Sequence, residues 1–136
     1  TCADLVEKVI SVESVEDATL DGRHNAAING IENVSFLTAK VEDYLRNLRD
    51  ERGALEPDCA VVLDPPRAGL HPKALKRLLE LRPPHVLYVA CKPETLAEQD
   101  LPPLIEHYEL RRLRAVDLFP HTPHVEVIAE LRAKSD

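Results

Sequence analysis

Cysteine, aromatic residues and long apolar runs are all scarce in this sequence. Three cysteines among 136 residues are too few and too scattered for a disulfide framework or a zinc site, which favours a reducing compartment. No apolar run approaches the roughly 18 residues that a membrane span needs. The first residues have neither the basic start nor the apolar stretch of a signal peptide. We therefore expect a cytoplasmic protein with no membrane segment and no metal.

Basic residues are also fewer than acidic ones, and the formal net charge is −7. Nucleic-acid affinity depends mainly on Lys and Arg contacts to phosphates, and 3 Tyr with 2 Phe are too few for a platform on which bases stack. The composition therefore excludes an autonomous nucleic-acid-binding module. If the substrate is a nucleic acid, another domain must supply most of the grip. The length and the 44% hydrophobic content fit one soluble globular domain.

Hydrophobic periodicity and helix breakers predict strands that alternate with helices. Such a chain forms a mostly parallel, doubly wound sheet, and ligands bind beyond the carboxyl ends of its strands. Ser14 is predicted to cap the first long helix and Gly30 to end it, and the run CAVVL at 59–63 is typical of a strand covered on both faces. The predicted strands cover 8–13, 33–38, 59–63, 85–90, 108–118 and 125–131, and the predicted helices cover 15–29, 39–52, 72–81 and 93–107, with a helix end at 1–7 and a loop at 53–58.

Two acids in the first half of the chain come at or after the ends of predicted strands. Glu13 ends the first strand, where acids in nucleotide-binding α/β folds commonly accept hydrogen bonds from ribose hydroxyls. A solvated acid in a turn is the alternative. Asp43 lies a few residues past the next strand and could accept a hydrogen bond from an adenine amine, although acids are common in the first turn of any helix. Both are candidate cofactor-binding residues.

A stiff loop, DPPR at 64–67, follows the apolar run. Its two prolines fix the backbone, which holds Asp64 at the carboxyl edge of the sheet. A rigid loop loses little further conformational entropy when a ligand enters, so Asp64 and Arg67 are candidate binding residues. The alternative is a proline-rich turn in which Asp64 serves as a cap.

Cys91 follows the fourth predicted strand and lies two residues before Pro93, which opens a helix. The helix dipole favours a thiolate at that position, and Lys92 adds positive charge beside it. The alternative is a small buried cysteine. Cys59 fits that alternative because it starts an apolar run, whereas Cys91 lies at a strand exit, on the same edge as Asp64. The pattern therefore favours Cys91 as a nucleophile.

The segment 121–126 (HTPHVE) brings an acid to the start of the last predicted strand. Glu126 is the only acid within 125–129, and it is either a general base or a salt-bridged edge residue. His121 and His124 are three residues apart with no third ligand type near them. We interpret them as structural or substrate contacts and not as metal ligands.

Three motifs in this order resemble the tRNA and ribosomal RNA uracil-5 methyltransferase family, and the resemblance runs over nearly the whole chain. The matching segments are DPPRAGL at 64–70, YVACKP at 88–93 with Thr95 and Leu96, and VDLFPHTPHVE at 116–126, together with residues 12–13, 25, 29–30 and 33–34.

The resemblance implies a class I methyltransferase (Rossmann-like) α/β fold with S-adenosyl-L-methionine as cofactor, and methylation of carbon 5 of uridine in tRNA or rRNA. A thiolate that adds to carbon 6 makes carbon 5 nucleophilic, a base later removes the proton from carbon 5, and the nucleotide must leave its stack. By position, Cys91 would be the nucleophile and Glu126 the general base. The resemblance also implies that Glu13 holds the cofactor ribose and that Asp64 is the acid of the motif loop. Asp43 remains a cofactor-binding candidate from its position, and Arg67 and His121 are substrate-binding candidates.

The sequence departs from the family at several points. Ala90 and Lys92 flank the cysteine where the family usually has Ser and Asn. None of the 4 glycines forms the family's Gly-rich cofactor loop, and the strand before that loop is also missing. We therefore expect residues 1–136 to be the C-terminal part of a catalytic domain, with the RNA gripped mainly by domains outside this chain. The isolated chain should bind the cofactor weakly and be inactive.

Two alternatives to this function were weighed. The first is a non-catalytic remnant that keeps the fold without cofactor binding. The second is methylation of another substrate. Pro-Pro loops with an aromatic fourth residue occur in enzymes that methylate exocyclic amines of bases, but Arg67 is the fourth residue here, and amine methylation needs neither Cys91 nor Glu126.

Overall fold

The computed structural model describes residues 2–53 and 55–135, and strands alternate with helices along them. The predictions for 1–7 and 53–58 include Thr1 and Ala54, which with Asp136 lie outside the described residues. No helix in the described part of the chain is long and apolar enough to cross a membrane. The elements are a 3-10 helix (Cys2–Leu5), β1 (Val9–Glu13), α1 (Glu16–Ile28), β2 (Val34–Thr38), α2 (Val41–Arg52), β3 (Ala60–Leu63), α3 (Pro72–Leu81), β4 (His85–Ala90), α4 (Pro93–Thr95), a π-helical turn (Leu96–Asp100), α5 (Leu101–His107), β5 (Tyr108–Val116) and β6 (Glu126–Ala133).

The chain divides into two compact units, an N-terminal unit of residues 1–47 and a C-terminal unit of residues 48–136. In the N-terminal unit β1 and β2 form a two-stranded parallel sheet, with Val9 opposite Val34 and Glu13 opposite Thr38. The side-chain amide of Asn33 donates to the carbonyl of Ala3 at 2.8 Å. This bond fastens the N-terminal segment beside the start of β2.

The C-terminal unit contains a four-stranded sheet in the order β3-β4-β6-β5. β3 and β4 are parallel, as the alternating pattern predicts, but β6 is antiparallel to both β4 and β5. The sheet is therefore mixed and not mostly parallel at this end. The reason is the connection at 117–125, which is shorter than the dozen or so residues that a parallel crossover needs.

Strands of the two sheets do not hydrogen-bond to one another within the described residues.

The core of the C-terminal unit lies against one face of its sheet. Alternate residues of β4 and β6 are buried there, including Tyr88 and Leu131 at 1% and 0% exposure. α3 has the predicted bounds and buries Leu78. The expectation that β3 is covered on both faces is wrong for the described chain, since Val62 is 62% exposed. An apolar run shows that both faces of a strand are apolar, not that neighbouring residues cover both.

One helix start and one helix interior differ in detail from the sequence prediction. Ser14 does not cap α1; its hydroxyl donates to Glu13 at 3.2 Å, and the Glu13 carboxylate accepts the Val15 amide at 2.8 Å. The stretch 93–107 is helical as predicted but includes a π-helical turn. That turn precedes Pro102 and Pro103, which have no N–H to donate to the carbonyls four residues earlier.

Candidate active site

A cleft of about 200 Å³ opens in the C-terminal unit beside the end of β4. This volume is far above the roughly 10–15 Å³ that a cavity needs to hold one water, so the cleft has room for a small ligand. The described residues that line it are Arg67, Cys91, Phe119, His124 and Glu126.

Strand pairing explains why Cys91 and Glu126 share this cleft. β4 and β6 are antiparallel, and Ala90 at the end of β4 lies opposite Val127 near the start of β6. Cys91 immediately follows Ala90 and Glu126 immediately precedes Val127, so the two side chains leave the sheet at the same edge. Both residues are half-buried, and the Cys91 thiol is free. The cleft therefore offers a thiol and a carboxyl group to one small ligand.

Asp64 lies at the same edge of the sheet, directly after β3. Leu63 pairs with Tyr88 in the parallel register of β3 and β4. Asp64 is therefore level with Val89, two residues before Cys91. Its side chain is exposed, and it is not among the described residues that line the cleft. The backbone thus brings all three sequence-predicted residues to one edge, while only Cys91 and Glu126 share the cleft.

Arg67 and His121 occupy different positions relative to the cleft. Arg67 lines it, as well as a smaller cavity beneath the DPPR loop. His121 is exposed, has a left-handed backbone with φ +71°, and is not among the described lining residues. His124 lines the cleft instead. Of the two histidines that the sequence singles out, the structure therefore brings the second one to Cys91.

Phe119 is a lining residue that the sequence analysis did not select. The loop that carries it is held by its own hydrogen bonds: the Thr122 hydroxyl donates to the Phe119 carbonyl at 2.8 Å and accepts the His124 amide at 3.2 Å. The Phe119 amide in turn donates to Asp117 at 3.2 Å. The signal available in the sequence was an aromatic residue inside a polar connection, in a chain with 2 Phe.

The N-terminal unit carries the other two sequence-predicted acids at one edge of its sheet. Glu13 ends β1, and its hydrogen bond from the Val15 amide, followed by that from Ser14, lowers the pKa of its carboxyl group below 4.5. Both donors bind Oε1, so neither uses Oε2. Asp43 stands in the first turn of α2, half-exposed, with Arg46 at 3.2 Å. Carboxyl oxygens at this edge can accept hydrogen bonds from ligand groups such as hydroxyls and amines.

Metal ligation is a different matter, because it needs several side chains close together. Among residues 2–53 and 55–135 there is no group of three or more His, Cys, Asp or Glu side chains that could hold a metal ion.

Solved structures of methyltransferases share this fold. A crystal structure of an rRNA methylase from Streptococcus thermophilus superposes with a TM-score of 0.64 at 16% identity, over 98% of this chain and 78% of that one. NSun6 from Pyrococcus horikoshii superposes with a TM-score of 0.70 at 15% identity, over 95% of this chain and 42% of that one. At these identities the likeness concerns the fold alone.

Closer relatives agree with one another about the family. The tRNA (uracil-54, C5)-methyltransferase of Pyrococcus abyssi superposes with a TM-score of 0.77 at 36% identity, over 95% of this chain and 30% of that one. An uncharacterized RNA methyltransferase of Caldanaerobacter subterraneus subsp. tengcongensis is 41% identical over 95% of this chain, and one of Clostridium tetani is 38% identical over 94% of it. The chain spans 27% of the length of these two relatives. A sequence model of tRNA (uracil-5-)-methyltransferases matches residues 1–134, so the chain belongs to that family.

Proposed function

We propose that the full-length protein methylates carbon 5 of uridine in tRNA or rRNA, and that this chain is the C-terminal part of its catalytic domain. The observation that carries the proposal is the shared cleft of Cys91 and Glu126, because this reaction needs a nucleophile and a base at one small ring. The Pyrococcus abyssi relative, a tRNA (uracil-54, C5)-methyltransferase crystallised with S-adenosyl-L-homocysteine, supports both the substrate class and S-adenosyl-L-methionine as cofactor.

Cys91 acts as the nucleophile in this mechanism. Its thiolate adds to carbon 6 of the uracil, and the electron pair of the 5,6 double bond moves into an enolate that makes carbon 5 reactive. The position of the thiol supports this role, since it is half-buried at the cleft and follows a rigid buried strand.

Glu126 acts as the general base. Once carbon 5 carries both the methyl group and its original hydrogen, the carboxylate takes that proton. The electrons of the carbon–hydrogen bond re-form the 5,6 double bond, the carbon–sulfur bond breaks, and Cys91 leaves as the thiolate. The shared cleft supports this step, because the ring bound to Cys91 lies within the space that Glu126 also lines.

Three acids would hold the cofactor. Glu13 would accept the ribose hydroxyls and Asp43 the adenine amine, while Asp64 would contact the cofactor from the motif loop; the ionised Glu13 carboxylate supports the first role. S-adenosyl-L-methionine supplies a methyl group bound to a positively charged sulfur, which is the electrophile that a nucleophilic carbon requires.

The remaining residues around the cleft would hold the RNA. Phe119 offers an aromatic face to a base that has left its stack, and Arg67 and His124 offer hydrogen-bond donors; His121 would contact the RNA from the same loop. The net charge of −7 supports a division of labour in which other domains grip most of the RNA. Cysteines that form no disulfide favour the cytoplasm as the location.

The proposal is tested with RNA that contains 5-fluorouridine and the full-length protein. Fluorine replaces the hydrogen that Glu126 would remove, so elimination stalls and a covalent complex should persist on a denaturing gel. Cys91→Ala should abolish that complex. Glu126→Gln should accumulate a covalent complex even with ordinary uridine, because the proton on carbon 5 stays in place.

Cys59→Ala is the matched control, since Cys59 is a half-buried cysteine outside any disulfide that does not line the cleft within the described residues. It should form the complex as the wild type does. A Cys91→Ala protein that still gave the band would remove Cys91 from the mechanism. A wild-type protein with neither methylation nor a covalent complex would favour the non-catalytic alternative.

A further inference from the structure

A buried carboxylate lies directly beneath the DPPR loop and takes no part in the proposed chemistry. Asp100 ends the π-helical turn and is 3% exposed. Its Oδ2 accepts the Leu70 amide at 2.9 Å and also the hydroxyl of Tyr88, which is itself 1% exposed. A buried polar group costs free energy unless hydrogen-bond partners satisfy it, and here the two donors come from two other segments of the chain.

The same helical segment holds the loop at a second point. The Thr95 hydroxyl donates to the Arg67 carbonyl at 3.0 Å. Between these two anchors the backbone turns at Gly69, where a Cβ atom would lie 2.7 Å from Asp100 Oδ2. The loop therefore rests on Asp100 and Thr95 without space for a side chain between them.

Tyr88 connects this anchored loop to the nucleophile. Tyr88 lies on β4, three residues before Cys91. Both residues line a cavity of about 10 Å³ together with Pro65 and Pro66. Burial, and next the hydrogen bond to Asp100, raise the pKa of Tyr88 well above 10. The hydroxyl thus stays protonated, and able to donate to Asp100, across the pH range in which enzymes work.

We propose that the Tyr88–Asp100 pair is a positioning unit, which holds the Cys91 thiol at a fixed place relative to the DPPR loop and the cleft. The inference rests on the proposed function, because it concerns the geometry of that nucleophile. Three segments meet at one carboxylate: the end of β4, the loop at 64–70 and the helical stretch after Cys91. Loss of the Tyr88 hydroxyl lets them separate, which moves the thiol from its position for attack.

The test compares two buried tyrosines of the C-terminal unit in the full-length protein. Tyr88→Phe removes the hydroxyl that binds Asp100, whereas Tyr108→Phe removes an equally buried hydroxyl that has no hydrogen-bond partner among the described residues. For Tyr88→Phe we expect kcat for covalent complex formation to fall by about tenfold to a hundredfold, since a misplacement of about 1 Å can cost that much. KM for the RNA should change far less. Asp100→Asn should shift kcat in the same direction, and Tyr108→Phe should match the wild type.

Alkylation by iodoacetamide gives a readout that needs no RNA. A loosened loop exposes the Cys91 thiol, so Tyr88→Phe should speed alkylation of Cys91 relative to Cys59, measured by mass spectrometry in the same sample. General destabilisation would speed both. Equal kcat values for Tyr88→Phe and Tyr108→Phe, or an unchanged alkylation ratio, would overturn the inference. If the wild type forms no covalent complex, the proposed function fails, and the alkylation ratio alone decides for or against the positioning role.

Discussion

The two units differ sharply in how much they bury. Within the described residues, the N-terminal unit buries only Ala3, Thr19 and Leu45, and it leaves Leu20 of α1 54% exposed. The C-terminal unit has a continuous core in which Leu104 is fully buried. Packing of an apolar face supplies most of the stability of a helix or sheet. The apolar burial that stabilises the interior of each unit is therefore very different in the two.

The difference matches the work that we propose for each unit. Bond formation at carbon 6 needs a nucleophile and a base fixed to within a fraction of an ångström, and Cys91 and Glu126 stand on the packed sheet. Hydrogen bonds to a cofactor tolerate more movement, and Glu13 and Asp43 stand on the thinly packed sheet. Tight packing thus coincides with the residues whose geometry matters most.

Truncation of one leucine in each unit should give the largest difference in unfolding free energy. Leu104→Ala removes a fully buried side chain of α5 and should cost about 2–5 kcal/mol of unfolding free energy. Leu20→Ala removes a side chain that is already largely in water, so it should change stability by less than about 0.5 kcal/mol. Urea unfolding followed by circular dichroism measures both, as the chain has no tryptophan. Similar losses for both variants would contradict the contrast between the units.

Two glycines with left-handed backbones provide the next comparison. Gly30 and Gly69 have φ of +65° and +83°, but a Cβ atom meets nothing within 4 Å at Gly30 and meets Asp100 at 2.7 Å at Gly69. Alanine at either position costs about 1–2 kcal/mol for the left-handed backbone. Gly69→Ala should cost about 1–3 kcal/mol more because it overpacks the anchored loop. Urea unfolding of the two variants gives the difference, and equal losses would show that the loop can shift away from Asp100.

Alkaline pH should lower the unfolding free energy of the C-terminal unit. Burial raises the pKa of Tyr108 from 10.0 to about 12, so folding favours its neutral form. Its contribution to stability is complete below about pH 10 and is lost as the pH rises towards 12. At pH 11 the loss should be about 1 kcal/mol, measured as the fall in urea midpoint from pH 8. Tyr108→Phe should remove this part of the pH dependence; an unchanged profile would mean that the hydroxyl reaches water.

The smallest expected effect on stability concerns Glu13 in the N-terminal unit. The Val15 amide lowers the pKa of Glu13 below 4.5, so this carboxylate stabilises the fold above about pH 4.5 and stops doing so as the pH falls through its folded value. Glu13→Gln should cost a few tenths of a kcal/mol at pH 7, because solvent screens the site, and progressively less as the pH falls through the folded pKa of Glu13. A difference between wild type and variant that does not shrink at acid pH would assign the effect to side-chain shape and not to charge.

Local pattern predicted much of the fold. The bounds of α3 follow from an apolar stripe behind Pro72, and the end of α1 follows from Gly30, because both signals act within one turn of backbone. The shared edge of Cys91 and Glu126 was also predictable, since each stands where a strand ends or begins. The cap of α1 was mispredicted: the N-cap is Val15, without a side-chain cap hydrogen bond, and the Ser14 hydroxyl instead donates to the Glu13 carboxylate, which is a strong acceptor.

Other features needed coordinates. Phe119 and His124 line the cleft because Thr122 folds their loop back on itself, which spacing alone does not reveal. Asp100 looks like any acid on a helix until its distances to Leu70 and Tyr88 are known. Burial of β3 was overestimated for a related reason. Apolar residues on both faces of a strand indicate that each face could be buried, but they do not show which neighbouring residues cover it.

The sequence by itself determined the alternation of strands and helices, the family and the candidate residues for the proposed chemistry, because these depend on local periodicity and on short motifs. Only the tertiary structure decided which of those residues share a cleft and what holds them there. Cys91 meets Glu126 through the antiparallel pairing of β4 with β6, and Asp100 reaches Leu70 across 30 residues of chain. Such contacts join segments far apart in sequence, and their geometry is set by how sheet and helices pack together.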